Sequence, residues 1–314
     1  MAKTAFLFAG QGSQYIGMGK DIYSQSKEAK EVYDRANETL GFDLSGICFD
    51  GKQEELNKTS ICQPAVMVTS IALLRAFKER NNGNISCHVT AGLSLGEYTA
   101  LVFANSISFE DALSLVYKRG QFMQEACDKE KGTMASIIGL VESEVEEVCS
   151  EAKKYGEVCA ANYNSPKQIV ISGREEAVKE AMSLAKEKGA RAVIPLKVSG
   201  AFHSSLMSMA SSRLSEEIES TEISRCDIPI MANVCAEYIS EPDEIKSSLV
   251  KQLDNPVRWS QSMQNLIADG TEEFYEIGPG KVLAGILKKI DPTKKIRSIN
   301  DFNSLVENLI NRKL

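Results

Sequence analysis

The pentapeptide Gly92-Leu93-Ser94-Leu95-Gly96 lies between an apolar run ending in Val89-Thr90-Ala91 and a helix-like segment from Glu97 to Phe103. A serine held on a strained strand-to-helix turn needs glycine two residues to either side, because the backbone there folds back on itself. G-x-S-x-G also arises by chance, and an ordinary turn can carry it. Its surroundings constrain the chain further, toward an α/β protein whose strands feed helices through glycine-rich turns.

The rest of the chain repeats that grammar. A first strand over about 4–9 runs into Gly10-Gln11-Gly12-Ser13-Gln14. Val32, Tyr33, Ala36 and Leu40 fall at helical spacing, with Gly41 as the cap. Gln63-Pro64 is expected to open the next helix, and a short strand over about 86–91 leads to the pentapeptide. Ser108, with Asp111 three residues on, is expected to cap another helix. Over 127–198 the rhythm changes to strand (134–139), helix (142–155), strand (157–162), strand (168–172), helix (174–188), strand (191–197). That βαββαβ order is the split ferredoxin-like unit. The expected architecture is a mostly parallel sheet domain from 1–126 and 199–314, interrupted by a small subdomain at 127–198.

Charge and residue counts remove several classes. Of 314 residues, 36 are Lys or Arg and 43 Asp or Glu, so the net charge of −7 argues against nucleic-acid binding. Eight cysteines without a C-x-x-C, and only two histidines, argue against a metal site and for free thiols in a reducing cytoplasm. The N-terminal apolar run Phe6-Leu7-Phe8 is too short for a signal peptide. The weakly polar stretch over about 64–74 is too short to cross a bilayer.

A serine nucleophile needs a base, usually histidine. His88 lies in the strand leading to the turn, and reads as a packed or surface imidazole. His203 follows Gly200-Ala201-Phe202 and precedes an amphipathic helix marked by Met207, Ala210, Leu214 and Ile218. A helix N-terminus there would keep the imidazole neutral, so His203 is the better candidate. The turn at 10–14 and the N–H of Leu95 could together hold an oxyanion. On the helix from Ser108, Arg119 falls on the apolar stripe of Ala112, Val116 and Met123. A guanidinium facing a core needs a carboxylate or water. Three readings stay open from the pattern: a clamp for a substrate carboxylate, an internal salt bridge, and a side chain whose head reaches water. Gly120 beside it hints at close approach by another group. Gly278-Pro279-Gly280 is a further glycine turn, too short to claim as a phosphate cradle.

Eight ordered blocks carry a family resemblance: AFLFAGQGSQ at 5–14, CQPA at 62–65, GLSLGEYTALV at 92–102, VYKRGQFMQ at 116–124, ANYNSPKQIVISG at 161–173, GAFHSSLM at 200–207, LVKQLDNPVRW at 249–259 and EIGPGKVL at 276–283. Together they resemble the malonyl-CoA:acyl carrier protein transacylases, over nearly the whole chain. The resemblance implies a hydrolase-like α/β domain with a ferredoxin-like insert, malonyl-CoA as substrate, acyl carrier protein as partner and no cofactor. It implies Ser94 as nucleophile, His203 as base, Gln11 and Leu95 as oxyanion donors and Arg119 as partner of the malonyl carboxylate. It also implies that the backbone carbonyl of Gln252 orients the histidine, and that Gln63 and Asn162 line the acyl and thioester region. Phe202 before His203 fits a preference for malonyl, whereas Leu93 stands where many relatives carry histidine. Lys167, Lys197, Arg258 and Lys281 neighbour the motifs and are candidates for docking the acidic carrier.

Overall fold

The computed structural model describes residues 2–83 and 86–310. Among the described residues ten strands form two sheets: β1 (Lys3–Phe8), β2 (Val89–Gly92), β3 (Thr133–Ile138), β4 (Val158–Ser165), β5 (Gln168–Gly173), β6 (Ala192–Pro195), β7 (Ile230–Met231), β8 (Tyr238–Ile239), β9 (Thr271–Ile277) and β10 (Lys295–Ile299). The larger sheet has the order β10-β9-β1-β2-β7-β8. Its first five strands are parallel, and β8 pairs antiparallel at the edge. The smaller sheet, β4-β5-β3-β6, is antiparallel throughout.

Alternation explains why β1 reads as an unbroken apolar run. Phe6 and Phe8 enter the main core on one face, where Phe6 stacks on Phe103 at 5.3 Å. Ala5 and Leu7 enter a second core on the other face, with Trp259 and Met263. A sheet buried on both faces has no polar side to display. The smaller sheet buries Ala135, Ile137, Ile169 and Ile171 against the helices Glu142–Ala152 and Glu175–Glu187. Its opposite face turns Met134 and Val170 toward the main core. In β4 the register shifts between Ala160 and Asn162. Ala160 and Tyr163 therefore both face the small core, three residues apart, and Asn162 and Asn164 are re-aimed to the other side.

The element order over 127–198 is as the sequence suggests. Two expectations fail. The helix thought to open at Gln63-Pro64 runs over Thr59–Arg80, with Pro64 inside it. Near-complete burial from Cys62 to Leu74 outweighs the lost backbone donor. This helix is also longer than the expected 64–74 stretch: by length and a mean hydropathy of 1.4 it could cross a membrane, yet 83% of that window is buried inside the protein. Gly120 owes its place to the same helix. A Cβ there would sit 2.7 Å from Ser60 Cα and 2.8 Å from Thr59 O, so helix packing explains the glycine.

Candidate active site

Ser94 sits beyond the carboxyl ends of β1 and β2, where open parallel sheets hold their ligands. Its φ of 51° is left-handed and strained for a residue with a side chain. The flanking glycines are obligatory: a Cβ on Gly92 would lie 1.9 Å from Gly96 C, and one on Gly96 would lie 2.2 Å from Phe8 O. Asn233 clamps the turn from outside. Its Oδ1 accepts from Ser94 N at 2.7 Å, and its Nδ2 donates to Gly92 O at 2.8 Å.

Ser94 Oγ lies 2.9 Å from His203 Nε2. The other ring nitrogen, Nδ1, is 2.8 Å from Gln252 O, and a carbonyl can only accept. Nδ1 therefore carries the proton, and Nε2 is free to take one from the serine. Burial, then the nearby Arg119 charge, lowers the His203 pKa to about 4. The helix-terminus explanation does not hold. A 3-10 turn, Ser205–Met207, separates His203 from the helix Ser208–Ser220, and the imidazole is kept neutral by its surroundings. His88 is exposed and accepts from Thr4 N through Nδ1 at 3.1 Å, away from this site.

Arg119 is 1% exposed. Its guanidinium donates to Gln63 Oε1 at 2.7 Å, to Ser94 Oγ at 2.9 Å and to Gln252 Oε1 at 3.1 Å. Every acceptor is neutral, Nε has no partner, and no carboxylate among the described residues forms an ion pair with it. This removes the internal salt bridge and the water-reaching head as readings. The buried cation thus meets amides, a hydroxyl and the face of the Tyr98 ring at 5.6 Å, and no carboxylate.

The remaining expected residues distribute around this centre. A Cβ on Gly10 would lie 2.4 Å from Leu93 O, so the turn after β1 rests directly on the serine turn and brings Gln11 beside it. Among the described residues, the N–H groups of Gln11 and Leu95 donate to no protein acceptor. A cavity of about 680 Å³ opens onto Ser94 and His203, lined also by Gln11, Leu93, Asn162 and Phe202. Gln63 is not on its wall. Fully buried, it braces Arg119 and donates to Gln11 Oε1 at 3.2 Å. Of the proposed docking residues, Lys197 and Lys281 line the cavity, as does the unforeseen Lys289, whereas Lys167 and Arg258 do not.

Sequence reasoning missed Asn233 and Glu97. Glu97 is 1% exposed and accepts from Gln252 Nε2 at 2.7 Å, Asn233 N at 3.2 Å and Ser248 Oγ at 3.3 Å. Burial raises its pKa to about 7. Its place three residues after the nucleophile, as the one charge on the helix Gly96–Phe103, was the available signal.

Known proteins similar to this chain are numerous. A family model described as an acyl transferase domain matches residues 5–304. The malonyl CoA-acyl carrier protein transacylase of Bacillus subtilis (strain 168) is 47% identical over 96% of this chain and 94% of its own length. Its namesake in Escherichia coli (strain K12) is 41% identical over 96% and 97%. Among solved structures, the Streptococcus pneumoniae enzyme superposes with a TM-score of 0.93 at 43% identity, covering 99% of this chain and 100% of that one. A malonyl-transacylase in complex with its type II PKS acyl-carrier protein gives 0.95 at 38% identity, over 99% and 100%. A serine–histidine pair beside an unpaired buried arginine, with identity of this extent over nearly the full length, makes the chain a member of the acyl transferase family, among the malonyl CoA-acyl carrier protein transacylases.

Proposed function

We propose that this enzyme moves a malonyl group from coenzyme A to the phosphopantetheine thiol of acyl carrier protein through a malonyl ester on Ser94, supplying fatty acid synthesis. The observation that carries the reading is Arg119, buried without a carboxylate and donating to the nucleophile's own oxygen. An acyl group bearing a free carboxylate supplies the missing anion at the distance of one short chain from the reacting carbon.

Ser94 Oγ attacks the thioester carbonyl carbon as His203 Nε2 takes its proton. The oxyanion is held by the N–H groups of Gln11 and Leu95, each contributing on the order of 3 kcal/mol. The tetrahedral adduct collapses, the carbon–sulfur bond breaks, and the coenzyme A thiolate leaves with the proton from His203. The carrier thiol then gives its proton to His203 and attacks the ester, and Ser94 recovers the proton as it departs. Gln252 O holds the ring and offsets its transient positive charge. Asn162, re-aimed by the irregularity in β4, faces the thioester region. Gln63 acts from below, by bracing Arg119 and Gln11. No cofactor enters this scheme.

We read the larger sheet with its helices as a hydrolase-like domain over 1–126 and 199–314, and the antiparallel sheet at 127–198 as a ferredoxin-like subdomain roofing the cavity. Lys197 and Lys281 at the mouth would meet the acidic carrier, and the enzyme would work in the cytoplasm. Hydrolysis is the competing use of the same serine, and an arginine in the acyl pocket disfavours it for neutral esters. Radiolabelled malonyl-CoA with and without acyl carrier protein separates the two. Label on the carrier supports transfer, and free malonate in its absence at the same rate would displace it.

A further inference from the structure

The Gln252 side-chain amide touches three groups whose hydrogen-bonding roles allow it one orientation. Arg119 can only donate, so it must face Oε1, at 3.1 Å. The Ser94 carbonyl and Glu97 carboxylate accept, so they must face Nε2, at 3.0 Å and 2.7 Å. Turned over, the amide would present N–H groups to the guanidinium and an oxygen to two acceptors. Glu97 supplies the shorter of the two bonds that prevent this. It is itself fixed from three segments: its own helix Gly96–Phe103, Asn233 N in the loop after β7, and Ser248 Oγ one turn before Gln252 on the helix Pro242–Gln252. The amide also keeps Glu97 and Arg119 from pairing directly. A direct ion pair would satisfy the arginine and remove its need for a substrate anion.

We propose that Glu97 is a positioning residue for malonyl selection, acting through the Gln252 amide to hold Arg119 against Ser94 with its charge unspent. This rests on the malonyl-transfer reading and extends it. The ionised carboxylate accepts from Gln252, Asn233 and Ser248 together; protonation removes the charge that strengthens the Gln252 bond, so protonating Glu97 loosens its hold on the amide. Its burial-raised pKa of about 7 puts that event in the working range. The titratable groups facing it are Arg119 from the helix Phe109–Lys129, Tyr98 on its own helix and Cys235 in the loop after β7. Arg119 and Tyr98 keep one state across neutral pH, and His203 titrates far lower.

The test is kcat/KM for malonyl-CoA and acetyl-CoA against pH, in the intact enzyme and in Glu97→Gln, with thermal unfolding of each. In a double-displacement scheme this quantity reports acylation of Ser94 alone. The unaltered enzyme should lose malonyl activity on acidification through about pH 7. Glu97→Gln should remove that limb, lower malonyl kcat/KM about tenfold at pH 8 chiefly through KM, and change acetyl by less than about threefold. A limb that persists in folded Glu97→Gln, or equal losses for both acyl groups, overturns the proposal. Should Glu97→Gln not fold, Ser248→Ala decides: losing that donor should move the limb to higher pH, and an unmoved limb overturns the proposal. An unaltered enzyme that never takes up malonyl would instead remove the functional reading beneath it.

Discussion

Two of the glycine turns in this molecule, Gly92–Gly96 and Gly278–Gly280, follow buried parallel strands and open onto helices, yet they differ in what they leave without a partner. At Gly92–Gly96 the chain presents a strained serine, and the cation beside it has no carboxylate. At Gly278-Pro279-Gly280 the left-handed residues are the glycines themselves, with φ of 139° and 78°. There the protein supplies its own anion. Glu276, buried at the end of β9, accepts from Leu283 N at 2.8 Å and Ala284 N at 2.9 Å, both in the first turn of the helix Val282–Ile290. A phosphate would compete with a carboxylate already in place. The shared local pattern therefore says little about binding. What distinguishes a site is a charge or strain that the fold leaves unanswered.

The sharpest way to break this contrast is to remove the strained hydroxyl. Ser94→Ala should lower malonyl transfer by about 10⁴-fold or more and abolish the acyl adduct seen by intact mass. An adduct of unchanged occupancy would move the chemistry to another residue. The unanswered charge comes next. Arg119→Ala should lower malonyl kcat/KM by about 10²-fold or more, the usual cost of stripping one partner from a buried charge pair. Acetyl transfer should fall far less, and Arg119→Lys should not restore malonyl, because an ammonium lacks the planar fork. Equal losses for both acyl groups would end its assignment as the carboxylate's partner.

A smaller effect comes from keeping His203 neutral. Its folded pKa of about 4 lies below the value near 6.5 of an unfolded histidine. Between those limits the unfolded chain binds the proton and the folded chain does not, so this residue's contribution to stability is lost on acidification from about pH 6.5 to 4. The full shift corresponds to roughly 3 kcal/mol. Glu97 has the opposite slope, since its folded carboxyl holds a proton up to about pH 7. The readout is therefore the difference in unfolding temperature between the intact enzyme and His203→Gln, which should shrink by several degrees as pH falls through that window. A difference independent of pH would contradict a neutral, buried imidazole.

Much of the fold was legible because periodicity is local. β3 to β6 and their two helices follow from alternation and helical spacing over 127–198, and Arg119 betrays itself as a charge on an apolar stripe. Ser94 is marked by its own glycines. The helix start at Thr59 was not legible, because Pro64 is tolerated only through tertiary burial that no window of sequence contains. Glu97 and Asn233 meet across 136 positions with no spacing rule to pair them, and Gln252 was recognised by resemblance for its carbonyl, whereas the contacts of its side-chain amide depend on three segments converging around Ser94. Gln63 was recognised by resemblance, but its role beneath the arginine depends on which face of a wholly buried helix it occupies.

The least of the expected effects concerns the turn that answers its own charge. Glu276→Gln keeps the shape of the side chain but replaces one accepting oxygen with an NH2. Either Leu283 N or Ala284 N then faces a donor, and Ser298 Oγ at 3.2 Å has lost part of its acceptor. The cost should be about 1–2 kcal/mol, that of a buried donor left unsatisfied, seen as a fall of a few degrees in unfolding temperature. Malonyl and acetyl kinetics should keep their ratio, because the helix Val282–Ile290 contributes only Val282, Gly285, Ile286 and Lys289 to the cavity wall and none to the reacting groups. A changed acyl ratio with unchanged stability would mean that the second turn is part of the site after all, and that the fold had left its charge available to substrate.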